Sequence, residues 1–252
     1  MTDAANGTLS SLNGQIIIPD QSKVKGNRVI ILPADKTEWS ESDILWEWKN
    51  TISKWGKHMS DARRVSYHGK DHILICGSSG GIALVEVESK TVVYHTVLDG
   101  EYNTPHAVAL LPDDLIAAAD PGDKKGKAAV KLYDIRKGND KDHVQALEQS
   151  GVHGIVWDSN RNCVWAWGGE ALHQYSYHTR QLKVEHTYKA PSDWQTGGGH
   201  ALAPMGTSHL LFSCNKGIGT FDLDSYKFAL YDKTACCNTK GVAYNAQTKE
   251  VI

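Results

Sequence analysis

Five basic side chains recur at matching places along the chain and could act together. Arg63, His106, His153, His200 and Lys240 each open a segment in which an apolar run, a polar turn and a second apolar run follow. Four of the copies read HAVALLPDDLIAAAD, HGIVWDSNRNCVWAWG, HALAPMGTSHLLFSC and, from Lys240, KGVAYNAQTKEVI. In these the basic residue precedes a small one. The copy from Arg63, RRVSYHGKDHILICG, has Arg64 there instead. The intervals are 43, 47, 47 and 40 residues.

Groups so far apart along the chain can share a ligand only if the fold gathers them. Gathered, they are costly to pack unless an anion or a metal compensates, and crowding of like charge favours neutral imidazoles near neutral pH. Two chemistries suit such a ring. His106, His153 and His200 could hold a divalent metal. Alternatively, Arg63 or Lys240 pairs with a substrate carboxylate while a neutral histidine takes a proton as general base. That second arrangement is the one that β-elimination of a uronic acid requires. The plainer alternative is shared descent of the repeats, each histidine bonding a nearby backbone carbonyl.

Two loops enter the ring. Gly100–Pro105 precedes His106 and carries Tyr102 and Asn103; Ser192–Gly199 precedes His200 and carries Trp194. Tyr102, Asn103 and Trp194 are candidate walls, the two aromatics for stacking on a sugar or an aromatic substrate. The glycines at 197–199 would admit a ligand close to the backbone or simply make a tight entry turn. The Gly-rich run Gly77–Gly81 lies between two apolar runs, so a hairpin is expected there and not a phosphate loop.

The elements that must position these residues are strands. After each basic start come two further runs of alternating β-branched and aromatic residues, such as GIALVEVE and TVVYHTVL, AVKLYDIR and VQALE, ALHQYSYH and LKVEHTY, GIGTFDLD and KFALYDK. Period-2 alternation with turn residues between argues for antiparallel strands. Four strands in a unit of about 40–45 residues make the blade of a β-propeller, whose first strands line a central channel. The expected fold is therefore all-β, with about five blades and the start of a sixth. At the N-terminus IIIPDQ, NRVIILP and ILWEWK read as second, third and fourth strands of a partial blade. Only Ser40–Ser53 is ambiguous with helix. Residues 1–14 read as a flexible N-terminus and 15–252 as one propeller domain, incomplete at its C-terminal end, because an open propeller would expose a strand edge.

Bulk properties exclude several classes. A formal net charge of -2 offers no general grip on nucleic acid or an anionic membrane. Five cysteines without paired CxxC spacing argue against a zinc ribbon or a disulfide framework. No apolar run approaches a membrane span and no secretory leader is visible, so a cytoplasmic monomer is expected.

The segments H-A-x-x-L-L-P-D, H-G-x-x-W-D and G-G-H-x-L-x-P, with N-R-V-I-I-L-P and I-L-W-E-W ahead of them, resemble an uncharacterised propeller family of fungi and bacteria, from about Ile16 onward. The layout is similar to that of propeller polysaccharide lyases and glycosidases. That resemblance implies a lyase or hydrolase acting on an acidic, uronate-containing sugar. The base would be one of His106, His153 or His200, and the carboxylate partner Arg63 or Lys240. A second resemblance, to propeller-like pericyclases of fungal secondary metabolism, implies a shaped, aromatic-lined pocket for a cycloaddition. A non-enzymatic binding scaffold is the third expectation.

Overall fold

The structure, a computed structural model, describes residues 14–22, 26–36, 38–52, 55, 58–98, 103–122, 126–139, 142–194, 199–214, 216–232, 239 and 241–251. Strands dominate, and the helical pieces among the described residues are three single 3-10 turns. One of these, Glu41–Asp43, lies in the stretch that is ambiguous by sequence, and a strand begins three residues after it, at Trp46.

The strands form five antiparallel sheets. The first holds β1 (Gln15–Asp20), β2 (Arg28–Pro33) and β3 (Trp46–Lys49). The second holds β4 (Met59–Tyr67), β5 (Lys70–Gly77), β6 (Gly81–Glu86) and β7 (Val92–Val97). The third holds β8 (Ala107–Leu111), β9 (Leu115–Asp120), β10 (Ala129–Asp134) and β11 (Gln145–Glu148). The fourth holds β12 (Val152–Asp158), β13 (Cys163–Gly168), β14 (Ala171–His178) and β15 (Gln181–Lys189). The fifth holds β16 (Leu202–Met205), β17 (His209–Cys214), β18 (Gly217–Asp222) and β19 (Lys227–Asp232). In the last four, strand order follows chain order from inside to outside.

Burial explains the composition of each strand. Second strands are sandwiched between neighbouring blades and read as continuous apolar runs; every residue of LIAAAD in β9 is buried. Outer strands meet solvent, and β15 (QLKVEHTYK) is exposed at most positions. Between blades consecutive in the chain lie separate apolar cores. Leu74, Ile82 and Tyr133 fill one between the second and third blades; Trp157, Tyr175 and Leu115 fill one between the third and fourth. Trp165, Trp167 and Phe212 fill the one between the fourth and fifth. Six of the chain's eight tryptophans, Trp48, Trp55, Trp157, Trp165, Trp167 and Trp194, lie in such cores.

Two expectations change. IIIPDQ, read as a second strand, is β1 at one edge of the three-stranded sheet, and Ile16, Ile17 and Pro19 line the axial cavity. Where a sixth unit was expected, the described residues form a short turn closed by one isolated bridge, Tyr244 to Val251.

Candidate functional site

Inner strands β4, β8, β12 and β16 surround the axis, and their N-terminal ends bring the repeated histidines together. The ring centroids of His106 and His153 lie 4.8 Å apart, and those of His153 and His200 lie 4.7 Å apart. Successive rings meet edge to face, at 73° and 80°. Residues 47 positions apart therefore stack as one column across three blades.

Backbone geometry fixes the chemistry of two of these rings. His106 Nδ1 lies 2.6 Å from the Thr104 carbonyl, and His153 Nδ1 lies 2.7 Å from the Gly151 carbonyl. A carbonyl only accepts, so Nδ1 carries the hydrogen and Nε2 of a neutral ring carries the lone pair. This is the carbonyl bonding expected of histidines shared by descent, yet it also aims an acceptor nitrogen away from the backbone. His200 is held from its main chain: Ser213 Oγ lies 3.1 Å from the amides of both His200 and Ala201, and Ser213 is fully buried. The column does not converge on one point. Among the described residues, no group of three or more His, Cys, Asp or Glu side chains is placed to hold a metal ion.

Arg63 reaches the same axis by another route. Strand pairing sets Asp61 opposite Cys76, as Ala107 is opposite Ala119 and Gly154 opposite Trp167. The register equivalent of the three histidines in the second blade is therefore Ser60, and Arg63 stands three residues further on. Its guanidinium is buried. Nε donates to Asp61 Oδ2 at 2.6 Å, Nη1 to the Ile155 carbonyl at 2.6 Å, and Nη2 to the Leu202 carbonyl at a long 3.5 Å. Asp61 Oδ2 also accepts from the Val108 amide at 3.1 Å. One ion pair from the second blade thus ties the third, fourth and fifth together. Burial, reinforced by the Asp61 carboxylate, pushes the Cys76 thiol far above its ordinary value.

A cavity of about 350 Å³ opens on this assembly. His106, His200, Ser60, Asp61 and Arg63 supply its polar wall; Ile16, Ile17, Leu202 and Val242 are among its apolar walls. The remaining candidates fall elsewhere. Trp194 is buried against Phe212 and Phe228 in the core between the fourth and fifth blades, so it is packing and not a cavity wall. Asn103 accepts from Lys131 Nζ at 2.8 Å. A Cβ on Gly199 would sit 2.4 Å from the Trp167 indole nitrogen, so that glycine admits an indole and not a ligand. Tyr102, Lys240, Gly197 and Gly198 lie outside the described residues.

Sequence reasoning missed Asp61 and Asp120. Asp61 and Arg63 are two apart in a strand and so share a face. Asp120 ends an apolar strand diagonally across from Lys131, a lone cation within the buried strand AVKLYD.

Five radial antiparallel sheets, separate inter-blade cores and an axial side-chain column define a β-propeller. Solved propellers share the fold at low identity. The β-propeller domain of Myceliophteria thermophila Cps50 (Swd1) matches with TM-score 0.60 and 10% identity, covering 88% of this chain and 72% of that one. Saccharomyces cerevisiae Sqt1 matches with TM-score 0.56 and 10% identity, over 95% and 63%. The WD40 β-propeller domain of Doa1 matches with TM-score 0.52 and 15% identity, over 80% and 58%. The chain thus spans less than two thirds of the latter two. No curated protein sequence matches it. The model of DUF6528, a family of unknown function, matches residues 18–248, and the chain belongs to that family.

Proposed function

We propose that the protein is a ligand-binding propeller whose site is the axial cavity with its histidine column. The carrying observation is the meeting of His106, His153 and His200 at 4.7–4.8 Å between rings, beside a cavity of about 350 Å³. That volume suits a small molecule. The Nδ1–H tautomer of His106 supports a ligand bearing hydrogen-bond donors, a hydroxyl, amide or ammonium group, set against Nε2. The Ile16, Ile17 and Val242 walls support an apolar body for the same ligand. WD40-type relatives in fold fit a binding role.

Elimination from a uronate sugar is the second reading, because a histidine Nε2 lone pair is also what a general base needs. It is the weaker one: the Arg63 guanidinium is engaged by Asp61 and the Ile155 carbonyl, which leaves carboxylate neutralisation to Lys240.

Ligand-observed NMR with a panel of alkyl polyols, amino alcohols and uronate oligosaccharides tests the proposal. Alkyl polyols or amino alcohols are expected to bind, and His106→Ala or His200→Ala to abolish the signal while thermal melting remains cooperative. Hits that persist undiminished in both variants would remove the axial site from consideration. Uronates that bind and generate ultraviolet-absorbing unsaturated product would establish elimination instead.

A further inference from the structure

The third blade carries the most deeply buried ion pair among the described residues, and it leads to the axial column. Asp120 and Lys131 have side chains 1% and 8% exposed, with Lys131 Nζ 2.7 Å from Asp120 Oδ2. Lys131 Nζ also donates to Asn103 Oδ1 at 2.8 Å. The other carboxylate oxygen, Asp120 Oδ1, accepts from the Thr104 amide at 3.0 Å, from Thr104 Oγ1 at 3.3 Å and from the Gly122 amide at 2.9 Å. The Thr104 carbonyl in turn accepts His106 Nδ1–H at 2.6 Å. Two linked steps therefore run from a desolvated ion pair to the imidazole at the cavity wall.

The repeat supplies the control. Asp120 is the last residue of a second strand, paired with Ala129 at the start of the third. The matching pairs in the other four-stranded blades are Gly77 with Gly81, Gly168 with Ala171, and Cys214 with Gly217. A glycine or a cysteine closes those blades, so the fold does not require a carboxylate at this register. Burying an ion pair is costly and stabilises a fold less well than apolar packing. A cost borne at this register in one of the four-stranded blades only, next to one of the three histidines, points to the site.

We propose that Asp120, held by Lys131, is a positioning residue: it fixes the segment from Asn103 to His106 and thereby locks the His106 imidazole as its Nδ1–H tautomer, with Nε2 facing the cavity. The inference deepens the proposed ligand site and rests on it for its functional meaning. The tautomer itself is measurable without a ligand.

The experiment is long-range ¹H–¹⁵N correlation NMR of the intact protein labelled at histidine, on wild type, Asp120→Asn and the double variant Asp120→Gly/Lys131→Met. The double variant gives the third blade the glycine found in the second and fourth and strands no charge; in the fourth, buried Gln149 holds the segment ahead of His153 instead, donating to the Ala166 carbonyl at 3.1 Å and accepting from the Tyr175 hydroxyl at 2.8 Å, an anchor the third blade would then lack. In wild type, His106 and His153 both show the Nδ1–H pattern. In the double variant His106 becomes a tautomer mixture while His153, bonded to Gly151, is unchanged. Asp120→Asn retains a carbonyl oxygen for the Thr104 amide and keeps the His106 pattern. For whichever alkyl polyol or amino alcohol binds wild type, the double variant weakens affinity roughly tenfold, the equivalent of one lost hydrogen bond. An unchanged His106 pattern in the folded double variant overturns the proposal. So does failure of that variant to fold, since the pair would then serve the fold. If the tautomer shifts as expected but no panel compound binds wild type, the positioning role stands and the proposed ligand site falls.

Discussion

Replacing Arg63 with Met separates a structural brace from a substrate-binding cation. The substitution keeps an apolar stem of similar length and removes the guanidinium. The side chains of Arg63 and Asp61 are only 10% and 20% exposed, so solvent compensates little for the loss. Asp61 would keep the Val108 amide at 3.1 Å but lose its counter-charge, and the Ile155 carbonyl would lose its donor. Removing one partner of a buried pair costs about 3–5 kcal/mol, and the residual exposure of Asp61 places this case near the lower end, about 3 kcal/mol. For a chain of this size that corresponds to a fall in Tm of about 6–12 °C. The assay is thermal unfolding by circular dichroism on wild type, Arg63→Met, Asp61→Asn and the double variant. In the double variant the buried charge is gone, so its loss should be smaller than the sum of the single losses by about 2 kcal/mol. A cation kept for a substrate carboxylate behaves oppositely. An Arg63→Met protein that melts within about 2 °C of wild type, or a double variant that is simply additive, would refute the brace.

Other consequences follow from the same axis and cores. Gly154→Ala would place a Cβ 2.6 Å from Leu202 Cβ and 2.8 Å from the Leu202 amide, forcing β12 and β16 apart beside His153 and His200; overpacking of this kind costs about 1–3 kcal/mol, read as a lower Tm together with lost ligand-observed NMR signal. Burial pushes the Cys163 thiol up to about 12 and raises those of Cys76 and Cys214; mass spectrometry after iodoacetamide at pH 8 should find these three unmodified in native protein and modified in urea. Burial, and then the hydrogen bond to Asp114, likewise raises Tyr67 to about 12. Acids whose folded values lie above their unfolded ones of roughly 8.5 for thiol and 10 for phenol contribute stability that is complete below pH about 8 and declines as pH rises past it. Urea midpoints should therefore fall between pH 8 and 11, and a midpoint that held constant would contradict the burial of these groups.

The repeat made the fold legible because each copy carries the same inside-to-outside gradient, from continuous apolar second strands such as LIAAAD to the exposed QLKVEHTYK of an outer strand. Matching positions in successive blades meet at the axis, and the histidine column could be read from spacing alone. Arg63 shows where spacing fails. Arg63 and Arg64 made the second blade look one basic residue away from the pattern, yet pairing of Asp61 with Cys76 shifts the true equivalent to Ser60. The β4–β5 register is interrupted between Met59 and Asp61 as the β12–β13 register is between Val152 and Gly154, which sets Ser60 where the fourth blade has His153. Trp194 failed for another reason: an aromatic in a loop near a ring reads as a wall, but the contacts that bury it, Phe212 and Phe228, come from strands much later in the chain. Asp120 and Lys131 were hidden because a pair spanning two strands has no signature in either alone. Departures from the repeat therefore carry the information that the repeat itself cannot. Positions shared by all blades describe how a propeller is built. The carboxylate where other blades have Gly or Cys, and the arginine where others have none, mark what this propeller adds at its axis.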